Sequence, residues 1–171
     1  VELTATYGDK RRTKVFASSV KDFSQEDLVP QEEVIVALTK SGYIKRMAAG
    51  TFKSQRRGGK GVTGMSVKET DNIRLLTNAN THDALLVFTN KGKVFSLKVW
   101  ELPEGSRTSK GQAIINLINI DPDEKIQSIL PLSRKESDIK DSYLFFTTRQ
   151  GTVKRTLLSE YQNIKSNGLI A

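Results

Sequence analysis

Three segments of this 171-residue chain repeat one pattern around a glycine. When Gly42, Gly92 and Gly151 are aligned, a threonine lies three residues before each glycine and a β-branched residue two after it. The first two glycines are 50 residues apart, and the second and third are 59 apart. Repeated units of this length cannot bury both of their faces alone, so they stack on one another. The three segments are VIVALTKSGYIKRM at 34–47, ALLVFTNKGKVFSL at 84–97 and YLFFTTRQGTVKRT at 143–156.

Each repeat begins with a short apolar run, a glycine turn and a second run, which predicts a β-hairpin. Between the hairpins the pattern predicts further strands, and no stretch favours a helix. About four strands per repeat indicate an all-β fold of propeller-like blades rather than a sandwich. The further predicted strands are Val62–Val67, Ile73–Leu76, Ile114–Ile120 and Lys125–Leu130.

The repeats divide the chain into a lead-in segment, 1–33, and a repeated domain, 34–171. We predict units at about 34–83, 84–141 and 142–171, the last of them incomplete, so the sequence is expected to be a fragment. The longer second spacing fits an inserted loop over Arg134–Asp141. The lead-in does not match the repeat, and its basic cluster Lys10–Arg12 is interpreted as a solvated turn.

Charge is concentrated in the first repeat. Residues 34–83 carry nine Lys/Arg and three Asp/Glu, a net +6 within a total of +8. A basic field of this kind favours an extended anion such as nucleic acid. No basic amphipathic helix supports membrane binding. The absence of cysteine excludes disulfides and thiolate metal sites, and the absence of a long apolar run or signal peptide predicts a cytoplasmic protein.

A glycine-rich basic loop lies in the same repeat. Glycine lets a backbone approach a large ligand closely, and arginine and lysine neutralise phosphate oxygens. The alternative is a solvated loop without a ligand. The loop is neither a dinucleotide fingerprint nor a Walker A motif, because a β-prone run follows it and Lys60 is followed by glycine. Its residues are Gln55, Arg56, Arg57, Gly58, Gly59, Lys60 and Gly61.

Other cations recur with the repeat. Lys45-Arg46 and Lys154-Arg155 occupy equivalent positions after the turn, whereas the middle repeat has Phe95-Ser96 there. Arg107 and Lys110 correspond in the same way to two cations of the glycine loop. We therefore predict a basic rim that follows the phosphates of a bent duplex. The alternative is that these long side chains protect strand edges from aggregation.

No arrangement of residues indicates catalysis. His82 and Asp83 are interpreted as a surface turn, and Asp121–Glu124 as a turn without the alternating ligands of a calcium loop. Trp100 and Tyr161 are interpreted as packing between blades rather than as stacking platforms for bases.

The sequence resembles the C-terminal domain of the A subunit of bacterial DNA gyrase over essentially its whole length. QRRGGKG at 55–61 is similar to the gyrase-A box, which distinguishes that family from the topoisomerase IV subunit. The resemblance extends over Tyr7–Thr13, Asp27–Pro30, Ser41–Arg46 and Ser166–Ala171.

The resemblance implies a β-pinwheel, a disc of six blades that exchange strands, of which this chain holds about three. It implies sequence-independent binding and wrapping of double-stranded DNA in support of ATP-dependent negative supercoiling. ATP, Mg²⁺ and the cleavage tyrosine belong to other domains, so this chain would be non-catalytic and without a cofactor. The B subunit of gyrase and a second copy of the A subunit are the implied partners. Two alternatives are a topoisomerase IV domain that captures DNA and a scaffold for an acidic protein.

Overall fold

The computed structural model describes residues 6–8, 25–51, 72–106, 108–133 and 139–171. The elements in this part of the chain are ten β-strands and short 3-10 turns, one of which follows directly after each glycine hairpin. The strands are β1 Glu33–Thr39, β2 Tyr43–Ala48, β3 Ile73–Asn80, β4 Ala84–Thr89, β5 Lys93–Lys98, β6 Gln112–Ala113, β7 Ile126–Leu132, β8 Tyr143–Thr147, β9 Val153–Leu157 and β10 Leu169–Ile170. The 3-10 turns are Gln25–Leu28, Ala49–Thr51, Val99–Glu101, Ile114–Asn116 and Leu158–Tyr161.

The three glycine hairpins predicted from the repeats are confirmed. β1 pairs with β2, β4 with β5 and β8 with β9, each antiparallel. The aligned glycines have φ of 83°, 76° and 84°, a region in which a side chain would be strained. The amide of each glycine donates to the carbonyl of the threonine three residues before it, at 3.0–3.2 Å.

Strands are exchanged between neighbouring repeats. Sheet 1 has the order β3-β1-β2-β6, and sheet 2 the order β10-β5-β4-β7, whereas sheet 3 is the pair β8-β9. β6 belongs to the second repeat but pairs with β2 of the first, at Tyr43 with Ala113 and Ile44 with Gln112. β10 likewise joins the third repeat to β5 of the second. Each complete sheet therefore has an edge strand supplied by the repeat that follows it.

Neighbouring sheets pack face to face through alternate residues of their central strands. Val36 of sheet 1 lies in one buried cluster with Val87 of sheet 2. On the opposite face of sheet 2, Leu86 lies in a second cluster with Phe146 of sheet 3 against it. The Phe146 ring meets Phe88 edge to face at 5.5 Å between centroids. The sheets thus follow one another as the blades of a propeller do.

The structure corrects one predicted strand and confirms two. Ile114–Ile120 is not a strand, because the chain leaves β6 into the 3-10 turn Ile114–Asn116. The strand predicted from Ile73 extends to Asn80, and the strand near Lys125 runs from Ile126 to Leu132. The predicted strand Val62–Val67 lies outside the described residues. Within the described residues, no helix is long and apolar enough to cross a membrane.

Candidate nucleic-acid interface

The predicted binding residues fall into two groups. The glycine loop, 55–61, and Arg107 lie outside the described residues, and their roles stay predictions. Lys45, Arg46, Lys110, Lys154 and Arg155 are described, and they lie in different environments.

Lys45 is enclosed within the fold, with 0 % of its surface exposed. Its ammonium donates to the carbonyl oxygens of Ser106 at 3.0 Å and Ser109 at 2.9 Å. Burial lowers the pKa of Lys45 from its ordinary value, because the charged form loses hydration. This burial contradicts the prediction that Lys45 lies on a basic rim. The physical reason is that the segment before β6, from the following repeat, covers it.

Arg46 is engaged by the same segment. Its Nε donates to the Leu102 carbonyl at 3.0 Å, and its Nη2 lies 3.1 Å from Glu104 Oε2. The backbone is paired as well, since Arg46 N donates to Pro103 O and Gly105 N donates to Arg46 O, both at 3.0 Å. The Arg46 side chain is 17 % exposed, so its charge is largely directed to protein groups.

Lys110 is exposed and placed at a strand edge. Its ammonium lies 4.0 Å from the centroid of the Tyr43 ring, at the first residue of β2. An aromatic face attracts a cation without neutralising it, so the outer side of this ammonium stays available to an anion. Gly111 follows with φ of 77°, and a side chain there would lie 2.5 Å from the Ile44 carbonyl oxygen. This close approach of the Gly111 backbone to β2 thus fixes the backbone position of the neighbouring Lys110.

Lys154 and Arg155 lie on β9 and are exposed. The Arg155 guanidinium is 4.5 Å from the centroid of the Tyr143 ring on the neighbouring strand. Lys154 occupies the repeat position of Lys45, yet the two differ in exposure. In the described part of the chain, sheet 3 has two strands and no covering segment beside β9.

Two lysines beside the glycine turn of the second repeat are paired with carboxylates. Lys91 Nζ lies 2.8 Å from Asp123 Oδ1, and Lys93 Nζ lies 3.3 Å from Asp121 Oδ2. Hydrogen bonds from Lys93 and then Lys91 lower the pKa of Asp121, and the bond from Lys91 lowers the pKa of Asp123. These contacts hold the predicted turn at Asp121–Glu124, which is confirmed, beside the glycine hairpin. The ammonium groups of Lys91 and Lys93 are thereby directed to carboxylates of the turn.

His82 has a structural contact that sequence reasoning missed. Its Nε2 donates to the Val29 carbonyl at 2.8 Å, and the Thr81 hydroxyl donates to the Pro30 carbonyl at 2.8 Å. Both bonds hold the end of the lead-in against the turn between β3 and β4. A histidine followed by aspartate carries no sequence signal for such a contact.

The carboxyl group of Glu101, in the 3-10 turn after β5, is shifted in its pKa. Burial, with the nearby charge of Glu26 adding to it, raises the pKa of Glu101.

Comparison with known proteins places these features in a family. The family model described as DNA gyrase C-terminal domain, beta-propeller, matches residues 33–76, 83–133 and 142–171. The chain is 46 % identical over 170 residues to the A subunit of DNA gyrase from Streptococcus pneumoniae (strain ATCC BAA-255 / R6), covering 99 % of this chain and 20 % of that protein. It is 47 % identical over 171 residues to the A subunit of DNA gyrase from Halalkalibacterium halodurans, covering 100 % and 20 %. The chain thus spans about a fifth of the length of these relatives.

Two solved structures share the fold. The crystal structure of the C-terminal domain of DNA topoisomerase IV superposes with a TM-score of 0.65 at 37 % identity, covering 82 % of this chain and 42 % of that one. The structure of a DNA gyrase A C-terminal domain superposes with a TM-score of 0.64 at 31 % identity, covering 81 % and 43 %. With its all-β architecture and exchanged strands, the chain belongs to the family of DNA gyrase C-terminal domains.

Proposed function

We propose that the chain binds double-stranded DNA without sequence preference and wraps it, as a module of the A subunit of a DNA gyrase. The observation that carries this proposal is the similarity to gyrase A subunits, 46–47 % identical along 99–100 % of the chain. The exposure of three predicted binding cations, Lys110, Lys154 and Arg155, supports it in part.

Wrapping requires many phosphate contacts on a stiff support. Bending a duplex costs several kcal/mol over about 20–30 base pairs, which phosphate contacts offset. The exchanged strands β6 and β10 supply stiffness, because each ties two repeats together through backbone hydrogen bonds. Contacts to the phosphate backbone carry no direct sequence information, so we expect little preference among duplexes.

The activity of the longer protein follows as part of the proposal. Wrapped DNA would be presented for ATP-driven strand passage by a cytoplasmic assembly that contains the B subunit of gyrase and a second copy of the A subunit. ATP and Mg²⁺ would be bound elsewhere in that assembly. The role of this chain is to hold DNA, and it is not assigned a catalytic residue.

Ligation of a nicked circular plasmid tests this function. A duplex wrapped around protein is fixed in its writhe when the nick is sealed, so the linking number changes in proportion to the protein bound. We expect the topoisomer distribution to shift progressively, in the positive direction, as the 171-residue chain is added. Two-dimensional gel electrophoresis after removal of protein measures the shift, and ligation without protein is the control.

The same assay separates the alternatives. The similarity to the topoisomerase IV domain favours a second candidate, in which DNA is captured without strong wrapping. That candidate predicts a mobility shift of the plasmid with an unchanged topoisomer distribution. A scaffold for an acidic protein predicts neither, and either result would contradict wrapping by this chain.

A further inference from the structure

The third residue after the turn glycine lies beneath the chain that enters from the next repeat. In sheet 1 this residue is Lys45, and a β-carbon built on Gly111 would lie 3.0 Å from its Cβ. In sheet 2 it is Phe95, and a β-carbon on Gly168 would lie 2.8 Å from its ring. Each of these glycines directly precedes an exchanged strand. Equivalent hydrogen bonds close the two sites, from Ile114 N to Gly42 O at 2.9 Å and from Ala171 N to Gly92 O at 2.7 Å.

The two sites differ in chemistry. Phe95 fills its site with an apolar ring, and it belongs to the main buried cluster. Lys45 instead extends an ammonium to two carbonyl oxygens, those of Ser106 and Ser109. These two residues form one turn, in which Ser109 N donates to Ser106 O at 3.1 Å. A single buried charge thus holds both ends of the turn.

The exposed cation Lys110 follows this turn directly. Its ammonium lies over Tyr43, which is two residues before Lys45 on the same strand. The buried ammonium and the aromatic ring therefore fix the backbone and the side chain of one segment against β2. A lysine held in this way loses less side-chain freedom when it binds an anion, which favours binding.

We propose that Lys45 is a positioning residue, whose buried ammonium holds residues 104–106 and 108–111 against β2 so that Lys110 is presented to a DNA phosphate. The inference rests on the proposed DNA-binding function. It assigns to Lys45 an indirect role in place of the direct phosphate contact predicted from the sequence.

The substitution Lys45→Phe tests this role, because Phe95 shows that the equivalent site accepts phenylalanine. Removing a charge-assisted hydrogen-bond pair should speed amide hydrogen exchange of Gly105 and Ser109 by about tenfold, with β1 unchanged. Affinity for a random-sequence duplex should fall, as measured by fluorescence anisotropy at several salt concentrations. This loss should vanish in a Lys110→Met background, so that the double variant binds like Lys110→Met alone.

Lys154→Phe is the matched control, since the same substitution at the exposed, equivalent position should leave exchange of Gly105 and Ser109 unchanged. If Lys45→Phe unfolds the chain, as judged by circular dichroism, Lys45→Met, which also lacks a donor, is measured by the same criteria. Unchanged exchange at both amides, or an affinity loss that adds fully to that of Lys110→Met, would overturn the inference. A wild-type chain that does not bind the duplex at low salt would instead refute the proposed function. The exchange measurement would still test whether Lys45 holds the turn between Ser106 and Ser109.

Discussion

At the scale of single residues, the repeated threonine has a physical explanation. In all three hairpins its hydroxyl accepts a hydrogen bond from the amide four residues on, at 3.0–3.3 Å. Its own carbonyl accepts from the turn glycine. Threonine thereby satisfies two backbone amides at the tight turn, and its β-branch suits the extended backbone that leads into the turn.

The three threonines should nevertheless differ in their importance for stability. Thr89 is buried and also donates to the buried carboxylate of Glu124. Thr89→Val should therefore lower the free energy of unfolding by about 2–3 kcal/mol, because it leaves a buried charged group short of a partner. Thr148→Val, at an exposed turn, should cost about 0.5–1 kcal/mol.

Urea unfolding of the 171-residue chain measures both losses. Thr89→Ser keeps the hydroxyl and serves as the control, so it should retain most of the stability. Equal losses for Thr89→Val and Thr148→Val would show that the contact with Glu124 contributes nothing.

At the scale of elements, the sequence predicts what depends on neighbouring residues. The glycine hairpins follow from apolar runs and a turn, and they are confirmed. Which strand covers which edge was not predictable from local pattern, because β6 pairs with a strand about 70 residues earlier. The position of Lys45 was misjudged for the same reason. The repeat alignment nevertheless held a signal that this position is buried, since Lys45 is equivalent to the apolar residue Phe95.

The order of the sheets makes a second prediction at this scale. Leu86 and Phe145 occupy the same repeat position, six residues before the glycine, but Leu86 is 0 % exposed and Phe145 is 69 % exposed. Sheet 3 covers Leu86, so Leu86→Ala should cost about 2–5 kcal/mol by leaving a cavity.

Phe145→Ala should cost less than about 1 kcal/mol, as expected for a surface site. Chemical denaturation of the two variants, with the wild-type chain alongside, gives the comparison. A large loss of unfolding free energy for Phe145→Ala would mean that the face of sheet 3 that carries Phe145 is covered by other groups.

At the scale of the whole molecule, the number of basic residues overstates the charge offered to DNA. The first repeat has a net +6, yet Lys45 is buried and Arg46 is paired with Glu104. Lys91 and Lys93 are paired with aspartates. Of the predicted binding cations in the described residues, only Lys110, Lys154 and Arg155 are exposed. The loop at 55–61 therefore has a larger predicted share of binding.

That share can be measured through salt dependence. Six neutralised phosphates would give a slope of about −5 in a plot of log affinity against log salt concentration. Replacing Arg56, Arg57 and Lys60 by alanine should make the slope shallower by about 2.7, if each contacts one phosphate. A control that replaces Lys125, Lys140 and Arg149 by alanine removes the same charge from exposed positions elsewhere. It should change the slope by less than about 1. The slope depends on the number of phosphates that the protein contacts, and not on its total charge. Equal changes in the two triple variants would therefore contradict a defined binding track at 55–61.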